Sequence, residues 1–216
     1  MAVSTTQACE WVGYIDEAFP FDDFPEGSRV LDVGFGGGDQ MRRLRVRGCP
    51  AVGLELDPEL ASRGRRSGLA VCRARAEQLP VRSAVMDGVV CKVVIPYTDE
   101  SQAVAELARV LRPGGTARVS YHGPGYFLRY LLTDANWKAR VYGLRTIVNT
   151  VFYRITGRRL RGFIGDTLYQ TENRLRRYYA ESGFDLVETR PSATFAGSPV
   201  FIYHVLRRRS DSRRSD

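Results

Sequence analysis

Lysine is almost missing from this chain of 216 residues: Lys92 and Lys138 stand alone among 32 basic side chains. Arginine therefore carries nearly all of a formal charge of +8, and a basic balance of this kind points to nucleic acid, anionic lipid or an acidic substrate. No apolar run approaches the ~20 residues that cross a bilayer, and no charged-then-apolar signal pattern opens the chain. The expectation is a soluble, cytoplasmic protein. Cys9, Cys49, Cys72 and Cys91 are widely spaced with no C-x-x-C, which excludes a zinc ribbon or a disulfide framework and leaves them as small buried hydrophobes. No Asp/Glu/His grouping has the look of a magnesium site, so no metal is expected. Histidine is scarce as well, with only His122 and His204. There is no internal repeat.

What is present is a chain that is 44% hydrophobic, long enough for one α/β domain and short for two. Its organising stretch is Val30 to Gln40, VLDVGFGGGDQ, where an apolar run breaks abruptly into glycine. It reads as a buried strand, a tight turn and a helix start. Gly34, Gly36 and Gly38 alternate behind Asp32, and backbone without Cβ atoms can pass close to a ligand. Such a turn would offer free amide N–H groups and a helix N-terminus to something polar or anionic. A G-x-G-x-x-G fingerprint would place its third glycine on Asp39, where close helix–strand packing has no use for a carboxylate. The spacing argues against a dinucleotide pyrophosphate.

Trp11, Val12, Tyr14, Ile15 and Phe19 give residues 1–27 an apolar face at helical spacing, expected as a lid helix. Asp39 to Arg47 reads as a short basic helix, and Ala51 to Glu55 as the second strand. Asp57, followed by Pro58, suits an N-cap. Glu55 has no such structural duty and lies about twenty residues past the turn, where a nucleotide fold places the acidic acceptor for ribose hydroxyls. Further strands are expected at Leu69 to Arg73, Val85 to Val94 and Thr116 to Tyr121. A helix capped by Asp99 carries a core stripe of Val104, Leu107, Ala108 and Leu111, with Gln102 at the capping-box position. Residues 123–165 form a basic and aromatic helical cap inserted after strand five. Phe184 to Arg190 with Pro199 to Leu206 makes a final hairpin, and 207–216 reads as a disordered basic tail. Residues 1–206 are then one domain.

The acidic residue followed by G-x-G-x-G, the segment ARAEQLP at Ala74 to Pro80 and LRPGG at Leu111 to Gly115 resemble, in order, the class I S-adenosylmethionine (SAM) dependent methyltransferases over about residues 28–121. The resemblance implies an α/β fold, a doubly wound, Rossmann-like sheet of seven strands with a C-terminal antiparallel hairpin, and SAM as cofactor. It implies cofactor binding by Asp32, Gly34, Phe35, Gly36, Gly38, Glu55, Leu56, Ala76, Glu77, Cys91 and Lys92. Arg75 departs from the pattern, which has an aspartate there, so adenine would be held by backbone, Glu77 or stacking. Arg75 itself is expected to turn to solvent. Lys92, unusual beside a sulfonium, is expected to point toward an acidic acceptor or solvent.

An oxygen acceptor of high pKa needs a base, and His122, at the carboxyl end of strand five, is the candidate, since imidazole titrates near neutrality; a turn-satisfying histidine is the alternative. Tyr97 and Tyr121, with Tyr126, could position a hydroxyl or simply pack. His204 is expected as a packed or surface residue. Val94-Ile95-Pro96-Tyr97 lacks the amide residues of an amino-methylating N-P-P-Y loop. The leading expectation is transfer to a small-molecule hydroxyl, of a natural product or sugar. An RNA methyltransferase is the second class, weakened by the absence of a separate RNA-binding module. The third is a membrane-surface enzyme acting on a lipid-linked glycan, with the basic helix near Val141 to Ile155 on anionic lipid, and the fourth a SAM-binding subunit without activity. Partners then are a small molecule, with peripheral membrane contact and a homodimer left open.

Overall fold

The computed structural model describes residues 19–132, 137–156, 158, 160 and 168–210. The Trp11 to Ile15 face of the expected lid helix lies outside these residues, as do parts of the cap and the tail from 211.

β1 (Val30–Val33) is buried along its whole length, as a parallel strand covered on both faces must be. The glycine turn leads into α1 (Asp39–Val46), and Gly48 and Pro50 separate that helix from β2 (Ala51–Glu55). Asp57 accepts from the N–H groups of Glu59 and Leu60 at 2.8 and 2.9 Å, which starts α2 (Pro58–Arg66) as expected. β3 (Val71–Arg73) and β4 (Met86–Lys92) follow, then a 3₁₀ turn at Ile95–Tyr97. Asp99 caps α3 (Glu100–Val110) by accepting from the Gln102 N–H at 3.1 Å. The return half of the capping box is not made by Gln102: the Asp99 N–H donates to Glu77 at 3.1 Å, tying the 74–80 segment to this helix.

β5 (Leu111–His122) is longer than expected because Leu111 already pairs with Met86; the chain then loops out through Arg112 to Gly115 and resumes pairing with Thr116 opposite Gly88. The cap contributes α4 (Pro124–Leu132) and α5 (Trp137–Thr156). α6 (Glu172–Glu181), β6 (Phe184–Pro191), the short ladder β7 (Thr194–Phe195) with β8 (Ser198–Pro199), and β9 (Phe201–Arg208) complete the chain. The seven-stranded sheet runs β3-β2-β1-β4-β5-β9-β6 and is parallel except for β9. Chain order reverses between β1 and β4, which opens a crevice at the carboxyl ends of those strands.

Alternation along the strands divides the core. Leu31, Val33, Val89, Cys91 and Tyr121 face the layer of α3 and α6, while Val30, Val90 and Tyr203 face Phe19, Phe21, Met41 and Leu44. Buried Arg118 donates to the Asp23 carboxylate at 2.9 Å, the Asp23 carbonyl at 2.6 Å and the Tyr203 hydroxyl at 2.6 Å, which straps the chain after Phe19 across the sheet. The expected disordered tail begins too early: β9 continues to Arg208, and Arg209 binds Asp185 at 2.9 Å, because β6 extends its pairing to that end.

His204 lies in the core between the Tyr121 hydroxyl, 3.2 Å from Nε2, and the Tyr179 hydroxyl, 3.1 Å from Nδ1. A neutral imidazole offers one donor and one acceptor, so both hydroxyls are matched. Burial holds it neutral, with its pKa pushed from 6.5 down to about 4. The unfolded chain takes up that proton below pH 6.5 while the folded chain does not, so this contribution to stability is full above pH 6.5 and is lost as pH falls toward about 4. Urea or thermal unfolding between pH 7 and 4.5 should show stability declining by about 1.4 kcal/mol per pH unit for each buried histidine below its free pKa. His204→Gln should flatten the slope by roughly half, since His122 is buried in the same way.

Candidate active site

The glycine turn closes on itself more than free amides would require. The N–H groups of Gly34 and Phe35 both donate to the Leu54 carbonyl, at 2.7 and 3.2 Å, and that of Gly38 to Phe35 at 2.9 Å. The Gly36 N–H donates to the Glu55 carboxylate at 3.1 Å. What remains for a ligand is the Gly37 N–H, taken by no described residue, and the first turn of α1, whose N-cap Gly38 supplies no side-chain oxygen. Gly34 and Gly36 have positive φ of 75° and 54°. A Cβ on Gly34 would stand 2.3 Å from Val94 Cγ2, so the loop after β4 is pressed onto the turn; above Gly36 the space is open.

Glu55 does have a structural duty, contrary to the sequence expectation. Besides Gly36, its carboxylate accepts from the N–H groups of Leu56 at 2.8 Å and Asp57 at 3.1 Å. A carboxylate has about four acceptor positions, so three backbone bonds leave room for a further donor. Leu56 beside it is exposed and offers an apolar face, whereas Ala76 is buried. Glu77 receives the Asp99 N–H and an ion pair from Arg75 at 3.2 Å. Arg75 is exposed as expected, but its charge is spent on Glu77.

Other expected site residues are corrected by strand alternation and packing. The Phe35 ring turns into the core against Gly53 and Gly64, so only its main chain belongs to the turn. Cys91 points to the α3 and α6 side, where burial, with Asp32 nearby adding to it, pushes its thiol up to about 12. Asp32 is itself buried, opposite Gly53 and Val90 in the ladder. Lys92 is half-buried, and its Nζ lies 5.2 Å from the centre of the Phe21 ring. Tyr121 and His122 are adjacent on β5 and therefore face opposite ways. Tyr121 goes to His204 and cannot reach an acceptor at the crevice.

His122 faces the cap. Its ring stacks on Tyr126 at 3.8 Å between centroids, with Tyr97 edge-on at 6.3 Å and Phe127 at 5.8 Å. The Tyr126 and Tyr130 hydroxyls are 3.3 Å apart, the Tyr130 and Tyr142 rings 5.8 Å, and Tyr142 hydrogen-bonds Tyr97. Burial pushes the imidazole down to about 3, so it does not titrate near neutrality as expected, and its Nδ1 meets no hydrogen-bond partner among the described residues. Tyr130 and Tyr142 escaped the sequence reading because tyrosines at helical spacing look the same whether they pack or line a site.

Residues 31–119 match the family model described as a methyltransferase domain. Over that stretch the chain is similar to the methyltransferase-domain family. An uncharacterised protein of Mycobacterium tuberculosis is 36% identical over 123 residues, 53% of this chain and 45% of that one. The ubiquinone biosynthesis O-methyltransferase of Xylella fastidiosa is 31% identical over 115 residues, 50% of this chain and 45% of that one. The chain thus spans about half the length of these curated relatives. A SAM-dependent methyltransferase structure from Mesorhizobium loti superposes with a TM-score of 0.64 at 18% identity, covering 94% of this chain and 99% of that one, which establishes the shared fold.

SAM is the cofactor of this methyltransferase family, and the residues present fit it. The open position over Gly36 and the uncapped start of α1 suit the amino-acid end, the spare acceptor capacity of Glu55 suits the ribose diol, and Leu56 offers the adenine an apolar face. Glu55→Ala should weaken binding of S-adenosylhomocysteine by about 1–3 kcal/mol in calorimetry, because it removes the ribose acceptor and the brace on Gly36 together. Gly36→Val should abolish the binding, since a β-branched side chain at that φ strains the turn and fills the space above it.

Proposed function

We propose that this chain transfers the methyl group of SAM to a hydroxyl of a small molecule that binds at the aromatic cluster of Tyr97, His122, Tyr126, Tyr130 and Tyr142. This aromatic cluster carries the assignment: His122 stands at the carboxyl end of β5, next to β4 at the crevice, and the rings around it bear hydroxyls, with Tyr97 open to solvent. When bound, SAM supplies an already activated methyl on a sulfonium, so the protein has mainly to align the acceptor and exclude water. Buried neutral His122 can accept a hydrogen bond through Nδ1, yet an imidazole held near 3 is a weak base. That favours an acceptor whose hydroxyl is itself acidic, a phenol above a sugar, and flat enough to stack on tyrosine. The Xylella fastidiosa relative is named for O-methylation, which agrees with oxygen as the target.

Incubation with methyl-labelled SAM and a panel of simple phenols, sugars and RNA should label a phenol. Label in RNA alone, or no calorimetric heat with SAM and S-adenosylhomocysteine, would overturn the assignment. His122→Ala should leave cofactor affinity unchanged while lowering turnover by about tenfold or more. Unchanged turnover in that variant would remove His122 from the reaction.

A further inference from the structure

α5 is built inside out. Val141, Leu144, Ile147, Val148, Val151 and Ile155, with Trp137 at its start, are exposed, Trp137 at 65%, Leu144 at 58% and Ile155 at 79%. At 100° per residue they fall within an arc of about 120°. The opposite side, against the body, carries Gly143, Thr146, Asn149 and Thr150, all buried. Their polar atoms are matched in place: Thr146 donates to Tyr142 at 2.9 Å, Thr150 to Thr146 at 2.7 Å, and Leu160 and Tyr169 donate their N–H groups to Asn149 and Thr150, each at 2.7 Å. The two bonds received from outside the helix, from Leu160 and Tyr169, lock its rotation, so it cannot turn its apolar stripe inward without orphaning those N–H groups. An exposed stripe of this size marks an interaction surface.

Charge selects the occupant. Between Ala135 and Gly165 the sequence has no acidic residue, against Lys138, Arg140, Arg145, Arg154, Arg158, Arg159 and Arg161. Lys138 and Arg140 are both exposed, Lys138 outside one edge of the stripe and Arg140 within its other edge beside Ile147 in helical projection, where a long arginine stem can carry its charge clear of the apolar side chains. Arg145 is not part of this rim, because it folds back to the Leu160 carbonyl at 3.2 Å. A second copy of the same helix would set cations against cations with no acid between them. RNA would satisfy the cations but has no use for a strip of valine, leucine and isoleucine. An anionic bilayer surface answers both features, since aliphatic side chains enter the acyl boundary while the flanking cations meet headgroups. We propose that α5 lies in the plane of an anionic membrane, stripe down, with the body of the domain held at the surface. This is independent of which acceptor is methylated.

The full chain should co-sediment with vesicles of phosphatidylcholine containing one part in three of phosphatidylglycerol, and not with phosphatidylcholine alone. The emission of Trp137, read in a Trp11→Phe background, should shift to shorter wavelength on binding. Leu144→Asp with Val148→Asp should abolish co-sedimentation, and Lys138→Glu with Arg140→Glu should weaken it by roughly fivefold or more per charge. All four positions are exposed, so melting temperature and far-UV circular dichroism should hold. The emission shift of the otherwise unaltered chain remains decisive if a variant misfolds. The proposal fails if the chain ignores anionic vesicles or binds them without the Trp137 shift. It fails too if it binds equally well with aspartate in the stripe, or if light scattering shows instead a dimer, or filter retention an RNA complex, that the stripe variants abolish.

Discussion

The Glu55 carboxylate is the joint on which the cofactor end of the crevice depends. It reaches from the end of β2 to Gly36 in the turn after β1 and gathers the N–H groups of Leu56 and Asp57 on the way. A short turn of positive-φ glycines has no side chains to hold its own shape. Here the shape comes from the neighbouring strand, through the Leu54 carbonyl below and Glu55 above. The same arrangement leaves only the outermost amides to a ligand. Binding specificity therefore rests on a scaffold set before any ligand arrives, which limits the ordering cost of binding.

Much of this was legible in the sequence. The glycine turn, β2, the Asp57 and Asp99 caps and the strands with their order in the chain follow from apolar periodicity and punctuation, because local chemistry decides them. What was not legible depends on which way a strand residue faces relative to an element distant in sequence. Tyr121 and His122 look equally suited to a site, and only the pairing of β5 between β4 and β9 sends one into the core and the other to the cap. Arg118 illustrates the same limit, since nothing near it in the chain announces Asp23 as its partner. Glu100, fully buried, finds Arg174 at 2.6 Å from the other end of the chain and is equally silent.

The two histidines occupy opposite faces of one sheet and are both kept neutral by burial. They differ in what they touch. His204 has both nitrogens matched by tyrosine hydroxyls and behaves as a structural residue. His122 is stacked, buried and short of a partner at Nδ1, an arrangement that costs stability unless something else occupies that nitrogen. An open nitrogen on the histidine that faces the cap, beside two matched nitrogens on the one in the core, is the contrast expected where the first position is kept for a ligand.

The cap carries this division further. Tyr142, on the inner side of α5, belongs to the aromatic cluster around His122, while Val141 and Leu144, one and two residues away, face outward. One helix thus packs on the aromatic cluster and carries the exposed apolar stripe at once. Its inner polar residues cannot be exchanged for larger apolar ones without disturbing Leu160 and Tyr169, whose N–H groups they hold. A cap whose only purpose was to cover the aromatic cluster would gain stability from polar residues outside, where water solvates them, and nothing from isoleucine at 155. The inverted pattern carries a solubility cost that is accounted for only if the outer face meets something other than water.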